Sequence, residues 1–139
     1  MDKYSDSIGD FMVAMAMDED LGNIKLLERV FTNIDLDNLD EVIERTKLYT
    51  GKELDDILNI NGETLLNLCC IQSSNANIIQ YLLDLGCSMH IPNIYGMDAG
   101  IHLFSNKQID RETAMEFLSI YHRQKEEHDL QQIIDIGNS

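Results

Sequence analysis

The stretch Gly62-Glu63-Thr64-Leu65-Leu66-Asn67-Leu68-Cys69-Cys70 is followed by a polar break. Ile78-Ile79-Gln80-Tyr81-Leu82-Leu83-Asp84-Leu85-Gly86-Cys87-Ser88-Met89-His90 comes next, and then Asn93-Ile94-Tyr95-Gly96. The apolar residues of the first two blocks recur at helical spacing, so two short helices with a turn between them are expected. Thr64 is placed to cap the first through its hydroxyl. Gly86 is placed to end the second in a left-handed turn. Leu66, Leu82 and Leu83 form the expected core.

These residues resemble an ankyrin repeat, whose pattern is Gly-x-Thr-Pro-Leu-His-x-Ala, a turn, x-x-Leu-Leu-x-x-Gly-Ala and a β-turn to the next Gly. Thr64 and Leu66 match the first part, and Leu82, Leu83 and Gly86 match the second. Cys87 stands where Ala is usual, Leu65 where Pro is, and Asn67 where His is. Gly96 lies 34 positions beyond Gly62, near the family period of about 33. The resemblance implies an all-α fold, a short ankyrin-like solenoid of helix-turn-helix units. It also implies binding of another protein through loop tips and the inner face of the first helices. By position, Asn61, Glu63, Asn67, Tyr95, Met97 and Asp98 line that side.

Outward from this repeat the pattern weakens. After Gly96, Ile101, Leu103 and Phe104 suit a first helix, and Thr113 to Tyr121 a second. Shifting Ile78, Ile79, Leu82 and Leu83 by 35 positions lands on Thr113, Ala114, Phe117 and Leu118. The polar run His122 to Asp129 closes that helix as a capping unit requires. Residues 130–139 form a C-terminal extension, in which Leu130, Ile133 and Ile134 can cover that end. Upstream, Leu39, Val42, Ile43 and Leu48 give an amphipathic helix ending near Gly51. Leu54, Ile57, Leu58 and Ile60 follow in a short helix or turn, an insertion before Gly62. Leu21, Ile24, Leu27 and Val30-Phe31 fit a further helix. Asp10 caps a Met-rich one over 10–17, after a loose leader at 1–9. The chain is expected to be a single domain spanning 1–139.

Net charge is −15 on 139 residues. That opposes contact with nucleic acid backbones and favours encounter with a basic partner. No Lys or Arg occurs between Lys52 and Lys107, and Asp35, Asp37, Asp40 and Glu41 form a second acidic cluster. No apolar run approaches the roughly 20 residues of a membrane span. Three cysteines, two adjacent, read as reduced, buried thiols of an intracellular, cytoplasmic protein.

Chemistry-bearing patterns are few. Cys69, Cys70 and His102 lack metal-ligand spacing, and thiols within an apolar helix are inert. Asp35 to Asp40 alternates oxygens like a calcium loop, but Asp40 and Thr46 occupy the positions that need Gly and Glu. No phosphate loop or nucleophile elbow is present. With no such pattern, the ankyrin resemblance implies a non-catalytic protein-interaction module, an adaptor, without cofactor or metal. The alternative is an acidic inhibitor, immunity-like or chaperone-like, that masks a basic protein; an enzyme with an unrecognised site is a third reading.

Overall fold

A computed structural model describes residues 26–137, with side chains to residue 131. The leader at 1–9, the Met-rich segment at 10–17, Leu21 and Ile24 lie outside the described residues. Those residues form seven helices: α1 Leu27–Val30, α2 Leu39–Thr46, α3 Gly51–Asp55, α4 Leu65–Gln72, α5 Ala76–Asp84, α6 Ala99–Ser105 and α7 Arg111–Gly137. The all-α expectation holds for them. Leu26 and Leu58 alone make an isolated parallel bridge.

Six of the seven helix starts, all but that of α1, have a local side-chain cause. Side-chain oxygens of Asn38, Thr64, Asn75 and Asp98 accept backbone N–H groups at the starts of α2, α4, α5 and α6. Asp110 does the same at α7 by accepting from Thr113 N–H at 2.8 Å. These oxygens satisfy donors that the helix itself leaves unpaired. At α3 the cap is reciprocal: Glu53 N–H donates to Thr50 Oγ1, and Thr50 N–H donates to Glu53 Oε1, a capping box.

The helices pair as α4 with α5 and α6 with α7, and α6 lies along α4 while α5 packs on α2. Leu66, Ile78, Ile79 and Leu82 are fully buried between them, and Leu83 is half-buried. Several of the hydrogen bonds that tie the layers span 33 to 37 residues of sequence. Examples are Thr46 Oγ1 with the Tyr81 hydroxyl, Asn106 Nδ2 to the Ser73 carbonyl, and Met89 N–H to Gln124 Oε1.

Two expectations need correction. Gly51 does not end the helix of Leu39; that helix stops at Thr46, and Gly51 opens α3. Its N–H donates to the Leu85 carbonyl at 3.1 Å, so its backbone lies directly against the Gly86 turn. The last helix does not end in the polar run His122–Asp129 but continues unbroken to Gly137. A polar run ends a buried stripe, but it contains no Gly or Pro to stop a helix.

Candidate functional site

Two turns repeat the same construction 34 residues apart. Asn59 N–H donates to the Glu63 carbonyl and Gly62 N–H to the Asn59 carbonyl, both at 2.9 Å. Asn93 N–H donates to Met97 and Gly96 N–H to Asn93, also at 2.9 Å. In each turn the Asn side-chain oxygen accepts two backbone N–H groups. For Asn59 they come from Asn61 and Glu63, for Asn93 from Tyr95 and Met97. Asn favours such turns because its short amide reaches its own downstream backbone. Gly62 (φ +81°) and Gly96 (φ +83°) hold the left-handed position, which Gly occupies at least cost. Ile94 N–H donates to the Asn61 carbonyl at 3.0 Å and so fastens one tip to the next.

Beneath the tips lies a buried polar cluster. The Glu63 carboxylate accepts from Asn67 Nδ2 (3.1 Å) and Asn93 Nδ2 (3.0 Å). It also faces His102 Nε2 at 3.0 and 3.1 Å through its two oxygens. Asn67 Nδ2 donates its second hydrogen to the Ile91 carbonyl at 2.9 Å. Both its neighbours are acceptors, so the amide orientation is determined. Asn67 Oδ1 is then left as a buried acceptor without a partner among the described residues, a destabilising feature. This cluster pins both turns to the starts of α4 and α6.

Much of what the turns present to solvent is apolar. Ile60 is 77% exposed, Ile94 64% and Tyr95 71%. Asn61 is exposed beside them, and Met97 is partly so. Glu63 and Asn67, in contrast, are buried in the cluster. Asp98 is half-buried; it caps α6 and accepts from the Tyr121 hydroxyl at 2.8 Å. Asn61, Glu63, Asn67, Tyr95, Met97 and Asp98 thus do gather at one edge, as surface and as its foundation.

Asp35, Asp37, Asp40 and Glu41 lie at the opposite end of α4. Asp35 Oδ1 accepts from Asp37 N–H, and Glu41 Oε2 from Asp35 N–H. Asp37 Oδ1 accepts from Ser74 N–H (2.6 Å), Ser74 Oγ (3.0 Å) and Ser73 Oγ (3.3 Å). The Ser74 backbone bond, chiefly, lowers the Asp37 carboxyl below its usual range. Asp40 points to solvent.

A second cluster was not anticipated. Tyr121 stacks on His90 with ring centroids 3.9 Å apart, and His90 Nε2 lies 2.7 Å from the Tyr121 carbonyl. Burial and the Asp98 contact push the Tyr121 hydroxyl up to about 12. Its ring fills the space that a Cβ at Gly100 would enter. His90 thus fastens α7 to the loop between α5 and α6. Cys69, Cys70 and Cys87 are buried and unpaired. Among the described residues, no three His, Cys, Asp or Glu side chains converge as a metal site requires, and no helix is long and apolar enough to cross a membrane.

The repeated Asn-Ile-x-Gly at 59–62 and 93–96 is the signal that marks Ile60, Ile94 and the two turn asparagines. The Glu63–His102 contact spans 39 residues and leaves no local signal. No family model, no curated protein and no solved structure matches this chain.

Proposed function

We propose that this protein is a non-catalytic protein-binding module of ankyrin-repeat type, and that the twin turns are its recognition edge. One observation carries the reading: two hydrogen-bonded turns, 34 residues apart, hold Ile60, Ile94 and Tyr95 in solvent. Exposed apolar side chains on a rigid frame can bind without a large ordering cost. The turn interval and the 33-to-37-residue bonds between layers accord with the family period of about 33. Free buried thiols suit a reducing, intracellular setting.

A second reading is favoured by charge. The segment 53–106, which includes the tips, contains no Lys or Arg. A basic protein would be steered to it, and the module would act as an acidic inhibitor that masks that partner. Partner capture from native extract, comparing the wild type with a chain altered at Ile94 and Tyr95, tests the first reading. Association rates of the captured partner across salt test the second. Steep slowing as salt screens the charges supports masking of a basic partner, and a flat profile removes it.

A further inference from the structure

The outer face of α6 and α7 has an internal reference. Asn67 and Cys70 of α4 are fully buried beneath the next layer. The positions 34 residues later are Ile101 and Phe104 of α6, and they are 45% and 82% exposed. Met115 of α7 is 60% exposed beside them. Two grooves of about 330 and 610 Å³ flank Met115 and Leu118. The positions that a helical layer covers inside the stack are uncovered here and carry larger apolar groups.

The charge on this face differs from that of the segment 53–106, which has no Lys or Arg. Four of the ten basic residues, Lys107, Arg111, Arg123 and Lys125, follow residue 106. Arg111 lines one groove and Glu126 the other. Both are exposed, and neither has an ion-pair partner among the described residues. Their register is symmetric. Arg111 lies seven residues before Leu118, and Glu126 seven after Ser119. Met115 lies three before Leu118, and His122 three after Ser119. In an antiparallel helix pair about a two-fold axis, residue i of one copy faces residue j of the other and the reverse. An axis between Leu118 and Ser119 therefore sets Arg111 against Glu126 twice, and Met115 against His122 twice.

We propose that this face binds a second copy of the same chain. The two α7 helices run antiparallel about an axis between Leu118 and Ser119, and Phe104 of each copy packs against the other. The chain is strongly acidic overall, so like-charge repulsion disfavours most approaches of two copies. This end carries both signs, and its register makes them complementary. A basic partner would instead be drawn to the Lys- and Arg-free segment.

The test is sedimentation velocity from about 1 µM to about 1 mM, the range in which modest interfaces assemble. The wild type should pass from the chain mass of 15.9 kDa to twice that value. Phe104→Glu, Arg111→Glu and Glu126→Arg should each weaken the dimer at least about tenfold while helical circular dichroism is retained. Mixing Arg111→Glu with Glu126→Arg should restore a dimer, because both opposed pairs become complementary. Leu48→Glu, at an exposed site (88%) on another part of the molecule, should change nothing. A monomeric wild type throughout, higher oligomers, or a failure of mixing to restore the dimer would overturn the proposal.

Discussion

Replacing Gly51 by Ala should be among the most damaging single-methyl additions to this chain. An added Cβ would lie 2.4 Å from the Gly86 carbonyl carbon, 2.5 Å from the Leu85 oxygen and 2.6 Å from the Cys87 nitrogen. Favourable carbon contacts begin near 3.5 Å, so α3 and the end of α5 must part by about 1 Å. All three obstacles are backbone, which cannot step aside as a side chain can. Overpacking costs about 1–3 kcal/mol, and the top of that range applies here. Separation also weakens the Gly51 N–H bond to Leu85, worth about 1 kcal/mol. Ala recovers up to about 1 kcal/mol of helix propensity. The net loss is about 3 kcal/mol, or roughly 10 °C in Tm for a chain of this size. Urea denaturation followed by circular dichroism measures it. Gly86→Ala is the comparison: it meets no atom within 4 Å but sits at φ +100°, so it should cost only about 1–2 kcal/mol. A Gly51→Ala protein within about 0.5 kcal/mol of wild type would refute the docking of α3.

Leu82 is fully buried between the layers, so Leu82→Ala should cost about 2–5 kcal/mol in the same denaturation assay. Burial pushes the Cys70 and Cys87 thiols up to about 12 and raises Cys69 well above the ordinary value. A thiol reagent at pH 8 should therefore label the native protein slowly and the unfolded protein fast. Asp55 accepts from Ser88 N–H with both oxygens, yet burial raises its carboxyl from 3.8 to about 6. The folded state then holds that proton more tightly than the unfolded one, so this group's contribution falls as pH rises from about 4 to 6. Asp55→Asn should flatten the stability profile across that window, which pH-dependent urea melts would detect.

The legible parts were those with local causes. The helices α4 and α5 follow from Thr64, Gly86 and the leucine spacing, each of which acts within one turn of chain. Gly51 was misread because a Gly after a helical run signals a stop, whereas its real cause is the nearness of Gly86 in space. The length of α7 was misread because its polar half has no buried stripe. The foundation of the candidate edge was hidden for another reason. Glu63 and Asn67 suit a surface by type, and only the meeting of Asn93 and His102 makes their burial tolerable, since buried charge needs partners. The turn repeat at Asn59 and Asn93 was in plain view, but its meaning depends on both asparagines bonding backbone in the same way.

The most direct measurement of the central proposal is the affinity of a captured protein partner for the wild type and for the Ile94→Ser/Tyr95→Ser double variant. Both side chains are exposed, so the variant should retain the wild-type Tm. If the twin turns form the recognition edge, binding should fall by roughly 30-fold or more, the loss expected from about 2 kcal/mol of buried anchor residues. Unchanged affinity in a variant of unchanged Tm would contradict the account and move recognition to another face of the stack.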